Sequence, residues 1–330
     1  MLVRNKRFRE WSRAAQPEGY PDRIDIRMAD NPRHRVQAVR RGDADLALEI
    51  GSVNLAPLRV QFASQLRLDT QPDTSFLSFN IRRPPFSNVL ARRAVNLAID
   101  RSAAARGLGG PGLSTPTCQV LPPNFPGYQA YCPWTRTPQD GRWHGTDLSR
   151  ARALVRASGT AGTTVDFISP SNDPIAAAAA GPLVNALREI GYRPPVISGD
   201  AQFRRRLADP HGQWNISDGD WTADYPSPIE FLEYFLSCAN YHPDYPTRTT
   251  NGGGYCNATF DRLVRQAETL QLTDPAAAQS IWARADHLAA DQAAWVPLAN
   301  TRDAELISRR ASHFTLDANG LPQIDQLWVR

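Results

Sequence analysis

At five places in the chain an Asn or Asp stands immediately before a stretch whose apolar residues recur at helical spacing: Asn31, Asn88, Asp147, Asn257 and Asp274. A side-chain oxygen there satisfies backbone N–H groups that the first helical turn leaves open, so each marks a helix start. Between these starts lie short runs with the period or the apolar content of strands. From Arg23, Ile24, Ile26 and Met28 alternate with charged residues, Asn31 and Pro32 open a helix carrying Val36 and Val39, Gly42 closes it, and Leu46, Leu48 and Ile50 resume period two. This segment predicts a βαβ unit of a parallel sheet. Strand and helix in turn define an α/β fold class.

The pattern continues along the chain. A strand over Ser75–Ile81 leads through Pro84 and Pro85 to the Asn88 helix, whose inner face is Ala94, Val95, Ala98 and Ile99. Residues 107–146 hold most of the Pro and Gly punctuation and read as irregular. Asp147 caps a helix with Leu154 and Val155 inward and Gly159 behind it; strand Thr164–Ser169 and helix Pro182–Ile190 follow. Two late helices carry Phe260, Leu263, Val264 and Ala267, and Ile281, Trp282, Ala285 and Leu288.

With 330 residues and 42% apolar content, the chain has enough material for one large domain or two. Its 37 basic residues face 33 acidic ones, Lys6 is the sole lysine, and Arg is scattered among Asp and Glu, so no basic stripe exists to gather phosphates and nucleic acid is excluded as a partner. No apolar run approaches the roughly 18 residues that span a bilayer. The opening residues MLVRNKRFREWS lack the apolar core of a signal peptide.

Four cysteines fall as two local pairs, Cys118 with Cys132 and Cys238 with Cys256, across Pro- and Gly-rich loops. They read as loop staples of an oxidising compartment, although four cysteines permit two other pairings and four unrelated thiols is the alternative. The six histidines, at 34, 144, 211, 242, 287 and 313, never take a zinc spacing, and no C-x-x-C is present, so no metal or other cofactor is expected. No G-x-S-x-G elbow occurs, and the glycines of 107–112 follow a helix rather than a strand. A non-enzymatic role is expected.

The segment from Trp214 to Pro226 places Asp218, Asp220 and Asp224 among Trp214, Trp221 and Tyr225. Acid among aromatics suits a cation, since an ammonium group gains about 0.5 to 2 kcal/mol from an aromatic face and more from a fixed carboxylate. Asp220 and Asp224 could also be read as a hydrolytic carboxylate pair, or the Asp residues as turn formers beside core tryptophans. Pro226 and Pro228 predict a loop for the segment.

Several stretches in order resemble the family 5 extracellular solute-binding proteins, the peptide-, dipeptide- and nickel-binding components of ABC importers. They are Leu2–Asn5 with Gly19–Ile24; Gly42–Asp45; Phe79–Asn80, Pro85–Phe86 and Arg92–Arg101; Leu121–Pro123; Trp221–Pro228; and Tyr255–Asn257 with Phe260–Asp261. The resemblance implies a two-lobed type II periplasmic-binding-protein fold acting as a hinged clamp, with most of lobe I missing from this chain. On that map residues 1–73 are a C-terminal remnant of lobe I, 74–298 are lobe II, and 299–330 return to lobe I. It further implies that Asp224 pairs with a ligand amine, that Trp221 and Tyr225 line the pocket with Asn80 as a further ligand-binding residue, and that Ser227 replaces an Asp usual between the two prolines. The partners implied are a peptide or other small solute and the permease subunits of an importer. The location implied is extracytoplasmic, with membrane contact only through a lipid anchor ahead of this chain. The alternative role is a ligand-sensing module of a regulatory protein.

Overall fold

The side-chain caps fix where the helices begin. In the computed structural model, which describes all residues except Ala15, Gln16, Ser52, Asp200, Ala201 and Pro210, the chain forms two units, Met1–Gln71 with Arg302–Arg330, and Pro72–Thr301.

In the first unit, β1 (Leu2–Val3) pairs antiparallel with β2 (Arg23–Ile24). Helix α1 (Pro32–Arg41) starts where the Asn31 side chain accepts from the Arg33 N–H, and ends at Gly42, whose φ of 80° is left-handed. Val36 and Val39 are its buried face. Then come β3 (Leu46–Ala47), α2 (Leu55–Gln61) and β4 (Leu66–Thr70). Both β3 and β4 pair antiparallel with Arg302–Ile307, the second half of β10 (Trp295–Ile307). The chain closes with the β11 (Ala311–Ser312) and β12 (Trp328–Val329) pair.

The expected parallel βαβ unit is therefore not formed. Strand β2 stops at Ile24, leaving Ile26 exposed and Met28 92% exposed. Strand β3 stops at Ala47, because Glu49 takes a left-handed φ of 51° that an extended strand cannot continue through. Both strands find antiparallel partners elsewhere.

The second unit is built on a mixed sheet. Its order is the first half of β10, then β5 (Asp73–Phe79), β9 (Ile216–Thr222), β7 (Thr164–Ser169) and β8 (Arg193–Gly199), with β6 (Ser114–Pro116) along β10. Strand β5 is antiparallel to both neighbours, whereas β7 runs parallel to β8 and β9. A parallel pair needs a crossover, and α6 (Pro174–Ile190) supplies it. The apolar spacing alone predicts this helix over Pro182–Ile190. It starts eight residues earlier, where Asp173 accepts from Ile175 and Ala176, and tolerates Pro182 inside. The early turns are alanine, and Ala178 approaches α4 (Arg101–Gly107) so closely that a Cβ on Gly107 would lie 2.7 Å from its Cβ.

Residues of β5 alternate between the two faces of the sheet. Leu77 and Phe79 join Val95, Phe167, Leu187 and Ile216 in one buried cluster with α3 (Val89–Ala98), α5 (Leu148–Ser158) and α6. Phe76 belongs to a second, with Phe231, Phe260, Trp282 and Trp295, supported by α8 (Leu232–Leu236), α9 (Ala258–Leu270) and α10 (Pro275–Asp291). A short helix α7 (Phe203–Ala208) precedes β9. Burying each such aromatic or aliphatic side chain stabilises by about 1.5–3 kcal/mol. On β9, Gly219 lets the Phe76 ring lie directly on the backbone: a Cβ there would sit 2.7 Å from the ring. Phe76 in turn stacks on Trp295, centroids 3.5 Å apart and planes within 3°.

Candidate functional site: an acid and aromatic loop at the end of strand β9

Most of the acid-rich segment, read as a loop, is strand. Asp218 and Asp220 lie on β9 opposite Leu77 and Ser75, and Trp221 lies opposite Thr74. The prolines act only after the sheet ends. Ala223 donates its N–H to the Pro72 carbonyl at 2.9 Å, the chain turns over Asp224–Pro226, and a 3-10 turn at Pro228–Glu230 leads into α8.

Glu230 holds this turn together. It is buried, and one carboxylate oxygen accepts from the Trp221 indole N–H at 3.3 Å and from the Asp224 backbone N–H at 3.2 Å. The Trp221 ring is further fixed by stacking on Tyr234, centroids 5.4 Å apart, and by Phe235 edge-on at 5.1 Å. Asp224 is thus exposed on an anchored backbone, and its carboxylate accepts no hydrogen bond among the described residues. Tyr225, 46% exposed, stands beside it with its phenol pKa raised by loss of solvent, by a hydrogen bond to Glu230 and by the neighbouring carboxylates. Ser227 makes no capping hydrogen bond, and its hydroxyl has no partner among the described residues. Glu233 follows on α8, accepting from the Asn240 amide at 3.0 Å.

The structure brings Trp221, Asp224 and Tyr225 together and leaves Asn80 apart. Asn80 follows Phe79, which pairs with Ile216, so it lies six residues along the strand from the partner of Trp221, or about 20 Å at the usual rise. It is 1% exposed. Its amide donates to the Trp214 carbonyl at 3.2 Å, and its oxygen accepts from the backbone and guanidinium of Arg82. Asn80 ties loops together at that end.

Glu230 was missed by the sequence reading. One glutamate on a short turn has no periodicity to mark it; only its burial among Trp221, Asp224 and Tyr225 does. The cysteines lie in two local pairs, Cys118 with Cys132, Cα atoms 5.0 Å apart, and Cys238 with Cys256, 4.5 Å apart, each at bonding distance. Cys238 belongs to the 3-10 turn that follows α8, where its N–H donates to Asp261 at 3.2 Å. Among the described residues no His, Cys, Asp and Glu cluster could hold a metal ion, and no helix is long and apolar enough to cross a membrane. An exposed carboxylate on an anchored backbone, beside the Trp221 and Tyr225 rings, suits a positively charged group.

Residues 1–243 match the family described as bacterial extracellular solute-binding proteins, family 5 Middle, and the chain belongs to that family. A glutathione-binding protein of Shigella dysenteriae serotype 1 is 25% identical over 272 residues, 82% of this chain and 50% of that protein. Heme-binding protein A of Haemophilus influenzae is 25% identical over 286 residues, 85% of this chain and 49% of that one. The chain spans about half the length of the curated relatives it matches. Among solved structures, clavulanic acid biosynthesis oligopeptide binding protein 2 superposes with a TM-score of 0.80 at 23% identity, over 97% of this chain and 59% of that one. A dipeptide binding protein from Pseudoalteromonas, in complex with Met-Leu, superposes at 0.65 with 21% identity, over 92% and 57%. The fold is the α/β fold of type II periplasmic binding proteins.

Proposed function

We propose that this protein is the solute-binding component of an ABC importer, capturing a peptide or another small solute outside the cytoplasm and delivering it to the membrane permease. Family membership over residues 1–243 carries the reading. The relatives named for glutathione, heme, dipeptide and oligopeptide binding support a small organic solute, and the exposed, anchored Asp224 supports one with an amine. In this reading Pro72–Thr301 is lobe II, and Met1–Gln71 with Arg302–Arg330 is a part of lobe I. Asp224 pairs with the amine, Trp221 and Tyr225 line it, and Glu230 keeps the three in place. The two cysteine pairs close as disulfides, which persist in an oxidising extracytoplasmic compartment.

The test is calorimetric titration of the chain with glutathione and with di- to tetrapeptides, free and N-acetylated. Binding that is lost on acetylation, and reduced about tenfold or more by Asp224→Ala, is expected from a charge-assisted hydrogen bond. Equal affinity for acetylated ligands would remove Asp224 from the role, and no binding across the panel would overturn the reading.

A further inference from the structure

Strand β9 carries acid on the face that looks away from Trp221. Successive residues of a strand point to opposite faces, and directly paired residues share one. Asp218 pairs with Leu77 and Asp220 with Ser75, so both lie on the face that α6 covers, whereas Gly219 and Trp221 share the Phe76 face. Leu77 is clustered with Leu183 and Leu187 of α6. The start of the same helix brings a third carboxylate: Asp173 caps it, one oxygen accepting from Ile175 and Ala176 at 2.8 and 2.9 Å, and lies within hydrogen-bonding reach of Asp218.

Two observations set this group apart from a solvated acidic patch. Asp218 is 4% exposed, yet its Oδ1 has no hydrogen-bond partner among the described residues. A buried carboxylate oxygen left in that state is costly, and native structures rarely keep one without a reason. Moreover, among the described residues the side-chain charges that act on Asp218 are carboxylates, Asp173 first and Asp220 after it, and Asp173 acts on Asp220 as well. Asp220, two residues further along the strand, is exposed, so the group opens from a buried oxygen toward the surface. Such a group of carboxylates suits a cation with several donors. A guanidinium presents five N–H groups in a planar fork and an alkylammonium presents three, which can satisfy more than one carboxylate at once.

We propose that Asp218, Asp220 and Asp173 form a subsite for a guanidinium or alkylammonium group of the bound solute, distinct from the Asp224 loop. Near neutral pH the Asp218 carboxyl itself holds a proton. Burial first, and the Asp173 carboxylate second, push the Asp218 pKa up to about 8. A cation entering the subsite displaces this proton, so binding near neutral pH releases it. The assignment of the cation to a transported solute rests on the solute-binding reading; the chemistry of the subsite does not.

Calorimetric titration with Gly-Arg, with Gly-citrulline as its uncharged counterpart, and with agmatine as a guanidinium that is not a peptide tests this. Runs in phosphate and in Tris at pH 7 count the protons released. Gly-Arg should bind about tenfold or more tightly than Gly-citrulline, with an apparent enthalpy that depends on the buffer. Asp218→Asn should abolish both the preference and the buffer dependence. Asp220→Asn, at an exposed position where folding is undisturbed, should weaken Gly-Arg by about threefold; thermal unfolding of both variants confirms that they are folded. Equal affinity for Gly-Arg and Gly-citrulline, or a preference that survives both substitutions, would overturn the subsite while leaving the solute-binding reading standing. Agmatine binding that requires Asp218, with no peptide bound, would uphold the subsite and overturn the peptide reading. No binding by any of the three probes would overturn both.

Discussion

Pro72–Thr301 and the remainder of the chain are stabilised in different ways. The former places an apolar cluster on each face of its sheet and ties loops to that sheet with buried polar anchors. Arg101, fully buried, donates to the Pro297 carbonyl at 2.7 Å and the Asn96 carbonyl at 2.8 Å; Asp286, also fully buried, accepts from the Gln119 amide at 2.6 Å and the Val120 N–H at 2.9 Å. In Met1–Gln71 with Arg302–Arg330 most strands have two residues, large apolar side chains such as Met28 and Val60 are exposed, and charges pair at the surface, as in Arg41–Asp43 at 2.8 Å. Surface pairs contribute about 0–1 kcal/mol each. The site sits where the anchors are. A loop can hold Asp224 still only if Glu230, Trp221 and Phe235 beneath it are themselves fixed by a packed core.

The sharpest way to break this contrast is truncation in each part. Trp282→Ala should destabilise Pro72–Thr301 by about 3–5 kcal/mol in denaturant unfolding, since its ring is 2% exposed within the second cluster. Val60→Ala, at 83% exposure, should change stability by less than about 0.5 kcal/mol. Comparable losses would mean that the two parts are not stabilised differently.

Reduction comes next. Both cysteine pairs lie in Pro72–Thr301, with sequence separations of 14 and 18, so breaking them should lower its stability by about 3 kcal/mol each. The transition of the other part should not move, which fluorescence and hydrogen exchange can separate.

pH should act on both parts in the same direction. Asp218 in one and Glu305 in the other are each pushed up to about 8, by burial first and then by a neighbouring carboxylate, Asp173 or Asp69. Each native group keeps a proton that the unfolded chain releases above about pH 4. Their contribution is therefore greatest in acid, falls as pH rises from about 4 to about 8, and is level beyond. Melting temperatures across that range, flattened by Asp218→Asn or Glu305→Gln, check this.

A small effect is expected at Gly42. Its φ of 80° suits glycine, and nothing lies within 4 Å of where a Cβ would stand, so Gly42→Ala should cost only about 1 kcal/mol, from backbone strain alone.

How much of this was legible in the sequence follows the same division. In Pro72–Thr301 the caps at Asn88, Asp147, Asn257 and Asp274 start helices as read, and Thr164–Ser169 is a strand with the predicted bounds. Those signals are local, because a cap acts on N–H groups two or three residues away. Near the N-terminus the alternation at Ile24, Ile26 and Met28 does not continue as a strand: Ile24 is half-buried in its pair with β1, whereas Ile26 and Met28 are exposed. Strand β9 was hidden because Asp and Gly are poor strand formers; only pairing with β5 overrides them. The partners that define the site lie at both ranges: Asp224 and Glu230 are six residues apart, whereas Asp173 and Asp218 are joined only through α6 and the sheet.

Gly219 gives the site an uneven mutational landscape. Its neighbours Asp218 and Asp220 point to the face away from Phe76, so exchanging either for Asn leaves the contact between Phe76 and the strand in place. The glycine cannot follow them. Any side chain there would lift Phe76 from the strand and from Trp295.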